Sequence, residues 1–588
     1  MPSLAGRWLR SDPLIMDRRN FILGMLCLVA AMMLVGRQNR VLRESQRPVS
    51  ADGPSPLREP QPVVPEAPSG TNFALPPTPS EPLPPEQRVV LENEAVRLFL
   101  TTHGGAIRTV EFKNYPAERG GKAPYVFNRE GALPALALAF DGPENYRSLP
   151  FTVTRREENV VQFTYKGDNG LEIVRGYRLP SSGGENPYLL NHETLVRSSQ
   201  TPIRSLFLHL GSFPATPGDH GGEYLNFGYY DGKKAAFIKS RDFSATNGFL
   251  GLGRREARSH VFGEPGFIRW GSVKNQFFAA ILTPDEPAQT FFTRPGLWGS
   301  NDKKKTETIE GSLGFAGQNS SEKVLSLKYY VGPKDFLHLN HMGDEQDLVM
   351  EFGFFGPVSK ILLLTMLGIH HFVPNWGWTI ILLTIFIKLL MWPLTSAQVR
   401  SAKRMTAIQK PLQEIREKYK NNPQKIQAET MRLFKEHKVN PAMGCLPLLI
   451  QLPIFIGLYV MLRTSSEMRF QKFLWIQDLS IPDTVAHWGT FPINVLPLLM
   501  GVTMFFQMRL TPAPAADNAQ QKMLQWMPFI FLLFCYSFPS ALVLYWTVQN
   551  VLTIVQQGLT KSSEPVEAVG HESPRRSKKP KDKHVGTQ

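Results

Sequence analysis

Apolar residues along the chain are bunched rather than spread. One bunch runs from Phe21 to Gly36, the others follow Phe352, and between about Arg88 and Gly332 apolar and polar positions alternate. Period-two alternation marks a half-buried strand. It recurs in RVVLENEAVRLFLTT, PFTVTRREENVVQFTYKGDNGLEIVRGYRL and SEKVLSLKYYVG, broken by Gly, Asn and Asp. Gly167-Asp168-Asn169-Gly170 lies between two such runs and reads as a hairpin turn. Many short strands with no helical pattern between them predict a β-sandwich over residues 88–347.

The bunches have a different period. Phe21–Gly36 holds 16 apolar residues, just enough to cross a hydrocarbon core if its flanks snorkel. No small-x-small cleavage site follows it, so a retained anchor is expected rather than a cleaved signal peptide. Residues 1–20 then form a cytoplasmic N-terminus, of which 1–15 read as an extension before Met16-Asp17-Arg18-Arg19. Residues 37–87 contain 13 prolines from Pro48 to Pro85, a polyproline-like tether. Past the sandwich, 354–372 reads as an interfacial amphipathic helix, with a Gly/Pro start and a terminal His pair.

Transmembrane helices are predicted at 376–392, 443–462, 492–508, 523–538 and 541–559. The last two form one apolar block, Met523–Leu559, of 37 residues. As a single helix it would be about 55 Å long, nearly twice the hydrocarbon thickness, and Phe538-Pro539-Ser540 is the natural break. The segment 463–491 is expected to be a loop on the outer, periplasmic side and 509–522 a loop on the cytoplasmic side.

Charge orients this bundle. The net charge is +15, and residues 393–440 carry 11 Lys and Arg against four Glu. Ala402, Met405, Ile408, Leu412, Ile415 and Tyr419 recur at helical spacing there, and Asn421-Asn422-Pro423 interrupts them, so 394–440 reads as a basic helical hairpin. The tail, 560–588, holds seven Lys and Arg against four acids. By the positive-inside rule hairpin and tail are cytoplasmic. Six spans with both termini inside satisfy that parity and place the β domain across the membrane. Mean hydropathy, −0.18, averages this arrangement away.

Composition removes several functions. The cysteines, Cys27, Cys445 and Cys535, each lie in an apolar segment, and no disulfide framework or Cys/His metal cluster is recognisable. No nucleotide loop or nucleophile elbow occurs. His103, His192, His209 and His220 are scattered among strands and are expected to be scaffold. Neither a catalytic residue nor a cofactor, a metal or a small-molecule substrate is expected.

What remains is polarity in the wrong solvent. Lys388 lies in the span 376–392, with Thr384 one turn before it; Gln451, Gln507, Gln549 and Asn550 lie in other spans. A Lys there costs a few kcal/mol on insertion scales. Three readings are open: snorkelling of Lys388 to the cytoplasmic headgroups, interhelical hydrogen bonds that glue the bundle, or convergence into a wet cationic cavity facing the cytoplasm. The five spans contain no Asp or Glu, which argues against proton-coupled transport and leaves no acid/base pair.

The order of the segments IKLLMWPLTSAQ (Ile387–Gln398), KVNPAMGCLPLLIQLPIFIGLY (Lys438–Tyr459), LPLLMGVTMFF (Leu496–Phe506) and FPSALVLYWTVQNVLTIVQQ (Phe538–Gln557) resembles the YidC family of membrane protein insertases, of the YidC/Oxa/Alb class. YYVGPKD (Tyr329–Asp335) and KNQFFAAILTP (Lys274–Pro284) resemble the outer domain of its long form.

The resemblance implies a multi-domain membrane protein: an N-terminal anchor helix, a periplasmic β-sandwich (a supersandwich), and a five-helix transmembrane bundle with a cytoplasmic hairpin. It implies an inner-membrane protein of a Gram-negative-type cell that inserts and helps fold nascent integral membrane proteins, alone or with the Sec translocon, amid membrane lipids. It also implies a hydrophilic groove in which one positive residue, usually Arg, captures a client's acidic segment. That position here is Lys388, which keeps the charge and loses the bidentate fork. Thr384 would line the groove with Gln451, Gln507, Gln549 and Asn550, and Trp546 takes the place of an aromatic client contact. Lys403, Arg404, Lys410, Arg416 and Lys418 of the hairpin, and Arg575, Arg576, Lys578 and Lys579 of the tail, would meet the ribosome and targeting receptor. A transporter or channel with a β-rich sensor is the competing class, though neither pore rings nor inverted repeats are recognisable. A glycan-binding role for the sandwich is a further reading.

Overall fold

The computed structural model describes residues 83–129, 131–167, 170–181, 186–217, 219, 222–246, 255–298, 306–437, 446–489, 491–510 and 518–559. The expected anchor, most of the tether and the basic tail with Arg575, Arg576, Lys578 and Lys579 lie outside these residues, as does His220.

Three antiparallel sheets build the β domain. The largest has nine strands, in the spatial order Ala235–Lys239, Asn226–Tyr230, Trp270–Lys274, Phe278–Pro284, Glu322–Pro333, Leu189–Ser198, Leu171–Arg178, Val160–Lys166 and Thr152–Arg156. A five-stranded sheet, in which Thr306–Ser320 pairs with both Thr290–Trp298 and Ile203–Pro214, packs against it. The third is a four-stranded meander from Arg88 to Phe127. The two larger sheets approach closely where side chains are missing: a Cβ at Gly271 would fall 2.8 Å from Leu313, and one at Gly311 would fall 2.3 Å from Phe227. Val160–Lys166 and Leu171–Arg178 pair as an antiparallel hairpin, with Lys166 opposite Glu172.

Alternation puts Leu171, Ile173, Arg175 and Tyr177 on the inner face of one strand, so an arginine enters the core. Arg175 is fully buried. Its guanidinium donates to the carbonyls of Gly104 (2.9 Å) and Leu136 and to Thr194 Oγ1 (3.3 Å), tying the meander and a neighbouring loop to the large sheet. The planar fork supplies the donors that those carbonyls would lack away from water.

His192 and His209 are core residues, 3% and 4% exposed. His192 lies between the Gly176 carbonyl (2.8 Å) and Thr194 Oγ1 (2.7 Å). Both rings are held neutral by burial, His209 with its pKa pushed down to about 4 although the Glu310 carboxylate opposes the shift. His103 sits at the edge, its Nε2 2.8 Å from the Pro84 carbonyl.

Nine α-helices complete the described residues: α1 (Phe336–Asn340), α2 (Gly356–Phe372), α3 (Trp376–Ala407), α4 (Gln409–Lys418), α5 (Pro423–Glu436), α6 (Leu446–Thr464), α7 (Val495–Leu510), α8 (Asn518–Cys535) and α9 (Ser540–Leu559). Within α2, Gly356, Ser359, Leu362, Leu363 and Met366 are buried at helical spacing, and Ser359 Oγ donates to the Gly457 carbonyl of α6 at 3.1 Å. Among the described residues one segment, Trp376–Ser396, is long and apolar enough to cross a membrane; Gln451–Thr464 and Val495–Leu510 are apolar and shorter.

Pro393, read from sequence as the end of a span, does not end α3, which continues to Ala407. A proline inside a helix removes one hydrogen bond and crowds the preceding turn. Here it occupies an exposed position, and Thr395 Oγ1 folds back onto the Met391 and Trp392 carbonyls at 3.0 and 3.2 Å.

The β domain joins the helical part through polar contacts. Arg469, in the loop after α6, donates to the Pro116 and Ala117 carbonyls (2.7 and 3.0 Å), Gln276 donates to the Arg463 carbonyl (2.9 Å), and Lys360 of α2 pairs with Asp347 (2.5 Å).

The helical hairpin is a unit of its own, Ala407–Asn440, described as far as His437. Ile408, Leu412 and Leu433 are buried, and the Asn422 side chain caps α5 by accepting from Lys425 N (3.1 Å). Lys410 and Lys418 are exposed and Arg416 half-buried.

The histidine burial has a pH consequence. Unfolded chain takes up a proton at His209 from about pH 6.5 downward, whereas the folded domain resists until about pH 4. The stability contributed above pH 6.5 is therefore lost as pH falls toward 4. Denaturant unfolding of the β domain is expected to be easier at pH 5 than at pH 7, and His209→Gln to remove on the order of 2 kcal/mol of that difference.

Candidate functional site

Two apolar helices carry polar residues at matching intervals. On α3 these are Thr384, Lys388, Thr395 and Ser396; on α9 they are Gln549, Thr553 and Gln556. Spacings of three, four and seven residues keep such groups on one helix face. The two faces meet. Lys388 Nζ donates to Thr553 Oγ1 at 2.9 Å, and Gln556 Nε2 donates to Thr395 Oγ1 (2.6 Å), Ser396 Oγ (3.1 Å) and the Trp392 carbonyl (3.4 Å).

Thr553 Oγ1 in turn donates to the Gln549 carbonyl (2.7 Å), while Gln549 Oε1 is buried with no hydrogen-bond partner among the described residues. Lys388 is 4% exposed and forms no ion pair with any described residue. Among the described residues this buried ammonium thus meets one neutral hydroxyl, short of the three hydrogen bonds its protons can make.

The other expected groove residues divide. Thr384 is fully buried one turn from Lys388, and its hydroxyl is used up on the Ile380 carbonyl of its own helix (2.7 Å). Gln451 of α6 donates to Tyr545 OH of α9 at 2.7 Å. Trp546 shares a face with Gln549 and Thr553 by its spacing and wedges between Phe455 of α6 and Phe531 of α8, at centroid distances of 4.6 and 4.4 Å.

Asn550 points elsewhere. It donates to Thr503 Oγ1 (3.2 Å) and the Met500 carbonyl (3.4 Å) of α7, and Gln507 lies on α7 one turn beyond Thr503. Asn550 belongs to the α7–α9 seam, because it is turned roughly 100° from Gln549 around the helix. Sequence reading missed Thr553, Gln556, Thr395 and Ser396; the signal was the spacing Gln549, Thr553, Gln556 in an otherwise apolar helix. In the hairpin, Arg404 is half-buried near the end of α3, and the Lys403 side chain lies outside the described atoms.

Comparison with known proteins covers both halves. Residues 88–365 match the model of the YidC periplasmic domain, and residues 368–567 match that of the 60Kd inner membrane protein. The chain is 31% identical over 483 residues to the membrane protein insertase YidC of Herminiimonas arsenicoxydans, covering 80% of this chain and 82% of that one. It is 32% identical over 504 residues to the YidC of Anaeromyxobacter sp. (strain Fw109-5), covering 80% and 84%.

The chain belongs to the YidC family.

It is accordingly an inner-membrane protein whose β domain is of the YidC periplasmic type, in a family of insertases rather than enzymes. The transporter or channel reading finds no support in these matches. A solved structure of an active YidC insertase with its first transmembrane domain resolved is also similar, at 18% identity and a TM-score of 0.33, covering 82% of this chain and 94% of that one.

The Gln451–Tyr545 bond gives a measurable quantity. A double-mutant cycle of Gln451→Leu and Tyr545→Phe, read by unfolding in bicelles, is expected to return a coupling of about 0.6 kcal/mol, the usual size for one interhelical hydrogen bond in a bilayer.

Proposed function

We propose that this YidC-family chain inserts nascent integral membrane proteins, alone or beside the Sec translocon, by offering their polar segments the α3–α9 seam as a substitute for water. One observation carries the reading: the buried Lys388 ammonium donates to one neutral hydroxyl, Thr553, and to no carboxylate among the described residues. A client carboxylate would replace that hydroxyl with an ion pair, adding the opposite charge that the hydroxyl lacks. Because Lys388 is closed off, entry requires the Lys388–Thr553 bond to part, with Gln549 and Gln451 available to solvate the incoming backbone. Trp546 would form the aromatic wall beside it.

The drive is differential solvation. Carrying a polar segment across bare hydrocarbon is costly, and the polar seam shortens that path while the client's own apolar span gains from burial in lipid. In this reading six spans put both termini and the hairpin in the cytoplasm, the β domain in the periplasm, and α2 along the interface. The basic hairpin (Lys403, Arg404, Lys410, Arg416, Lys418) and tail (Arg575, Arg576, Lys578, Lys579) then meet the ribosome and the targeting receptor, where phosphate and acidic surfaces complement them.

Two outcomes test this. In cells depleted of their own insertase, Lys388→Arg is expected to support insertion of clients with acidic translocated tails, and Lys388→Ala to reduce it. A charged hydrogen bond of about 1.5–3 kcal/mol corresponds to a loss of capture of roughly tenfold to a hundredfold. Equal insertion by the two variants removes the charge-capture role. Replacing Lys410, Arg416 and Lys418 with Glu is expected to weaken ribosome co-sedimentation and to flatten its salt dependence; an unchanged salt slope places the ribosome contact elsewhere.

A further inference from the structure

Between α6 and α7 the chain forms a two-stranded hairpin that the insertion mechanism does not use. Thr484–Trp488 pairs with Phe491–Asn494, and Gly489 makes the turn at a φ of +63° that favours glycine. Every residue from Thr484 to Trp488 is exposed; Trp488 is 84%, Phe491 57% and Val485 51% exposed. Between Thr484 and Asn494 there is no Lys, Arg, Asp or Glu, and His487 is the sole titratable side chain. Water-facing strand edges are ordinarily guarded by charge, and a lone two-stranded ribbon is at best marginally stable in water.

The base of this hairpin, in contrast, is firmly held. Asp483 Oδ2 accepts from Leu496 N at the start of α7 (2.7 Å) and from Trp475 Nε1 (2.9 Å). Asn494 Nδ2 donates to the Tyr536 carbonyl (2.8 Å), Tyr536 OH donates to the Pro492 carbonyl (2.6 Å), and Ser540 Oγ donates to the Ile481 carbonyl (2.6 Å). The ribbon is therefore fixed to the ends of α7, α8 and α9 at one level. The helix that continues from it, α7, also exposes apolar side chains, Leu498, Leu499, Val502, Phe505 and Phe506, so ribbon and helix both present apolar surface.

From this we infer that the Thr484–Asn494 hairpin is a membrane anchor, seating Trp488, Phe491 and Val485 at the headgroup–acyl boundary of the outer leaflet. The inference rests on the topology proposed above, in which the ends of α7 and α9 that hold the ribbon face the periplasm. Lipid fits better than a protein partner because the exposed surface continues that of a membrane helix and carries no charge pattern for a partner to read. Trp, with an apolar body and a polar N–H, is the side chain enriched at that depth, and burial of such side chains reaches roughly 5–10 Å into the boundary.

The test uses the full chain with Cys27, Cys445 and Cys535 replaced by Ala, spin-labelled at Trp488→Cys or, as a reference, at Leu499→Cys of α7. Each is reconstituted into vesicles of phosphatidylethanolamine and phosphatidylglycerol. Collisions of the label with oxygen, which concentrates in lipid, are compared with collisions with a water-soluble nickel chelate. The expected result is an oxygen-to-nickel ratio above unity at position 488 and higher still at 499. A ratio below unity at 488 with a lipid-like 499 puts the hairpin in water and overturns the anchor while the topology stands. Shielding of 488 from both probes means that protein covers it, which also overturns the anchor. A water-like 499 overturns the topology, and the anchor with it.

Discussion

A positive charge placed in an apolar helix constrains the rest of the helical half. Lys388 cannot be left bare in hydrocarbon, so something must face it, and what faces it is the hydroxyl of Thr553 rather than an acid. The choice of a neutral partner matters. A carboxylate would hold the ammonium in a bond costly to break once both charges were desolvated, whereas a hydroxyl satisfies it enough to fold and leaves it open to exchange. Gln556, with Thr395 and Ser396, extends the same seam by hydrogen bonds among neutral groups. Aromatic packing of Trp546 against Phe455 and Phe531 closes the adjoining end.

The β domain solves a related problem by opposite means. Arg175 is also a buried cation with no carboxylate partner among the described residues, yet it donates to two backbone carbonyls, Gly104 and Leu136, and to Thr194. It therefore staples loops to a sheet and offers nothing to a ligand. The contacts from Gln276 to Arg463 and from Arg469 to Pro116 and Ala117 attach this rigid body to the end of α6, the helix that also carries Gln451. A domain anchored there holds α6 by its far end.

The sequence was most readable where one periodicity ruled. Alternation identified the strands, and Leu171–Arg178 follows it residue for residue, Arg175 included, since a strand cannot turn one side chain outward without slipping its register. Lys388 was legible because a lone charge among Ile, Leu and Phe has no ordinary explanation. Its partner was not. Thr553 and Gln556 look like unremarkable residues in a sequence that also offers Gln451, Gln507 and Asn550, and only helix rotation and packing separate those that meet α3 from Asn550, which meets α7. Pro393 misled for a related reason: proline disfavours a helix interior, but this one lies on an exposed face, where its ring displaces no packed neighbour.

By itself the sequence determined composition-bound properties: strand or helix by period, apolar block length against membrane thickness, and the clustering of Lys and Arg on which the proposed topology rests. Each depends on residues near one another in the chain or on a sum over them. Tertiary structure alone decided which polar groups pair, because residues 165 positions apart, such as Lys388 and Thr553, are brought together by the packing of whole helices. It also decided that the hairpin Thr484–Asn494 projects its aromatic residues away from the protein, since exposure is set by what the rest of the chain fails to cover.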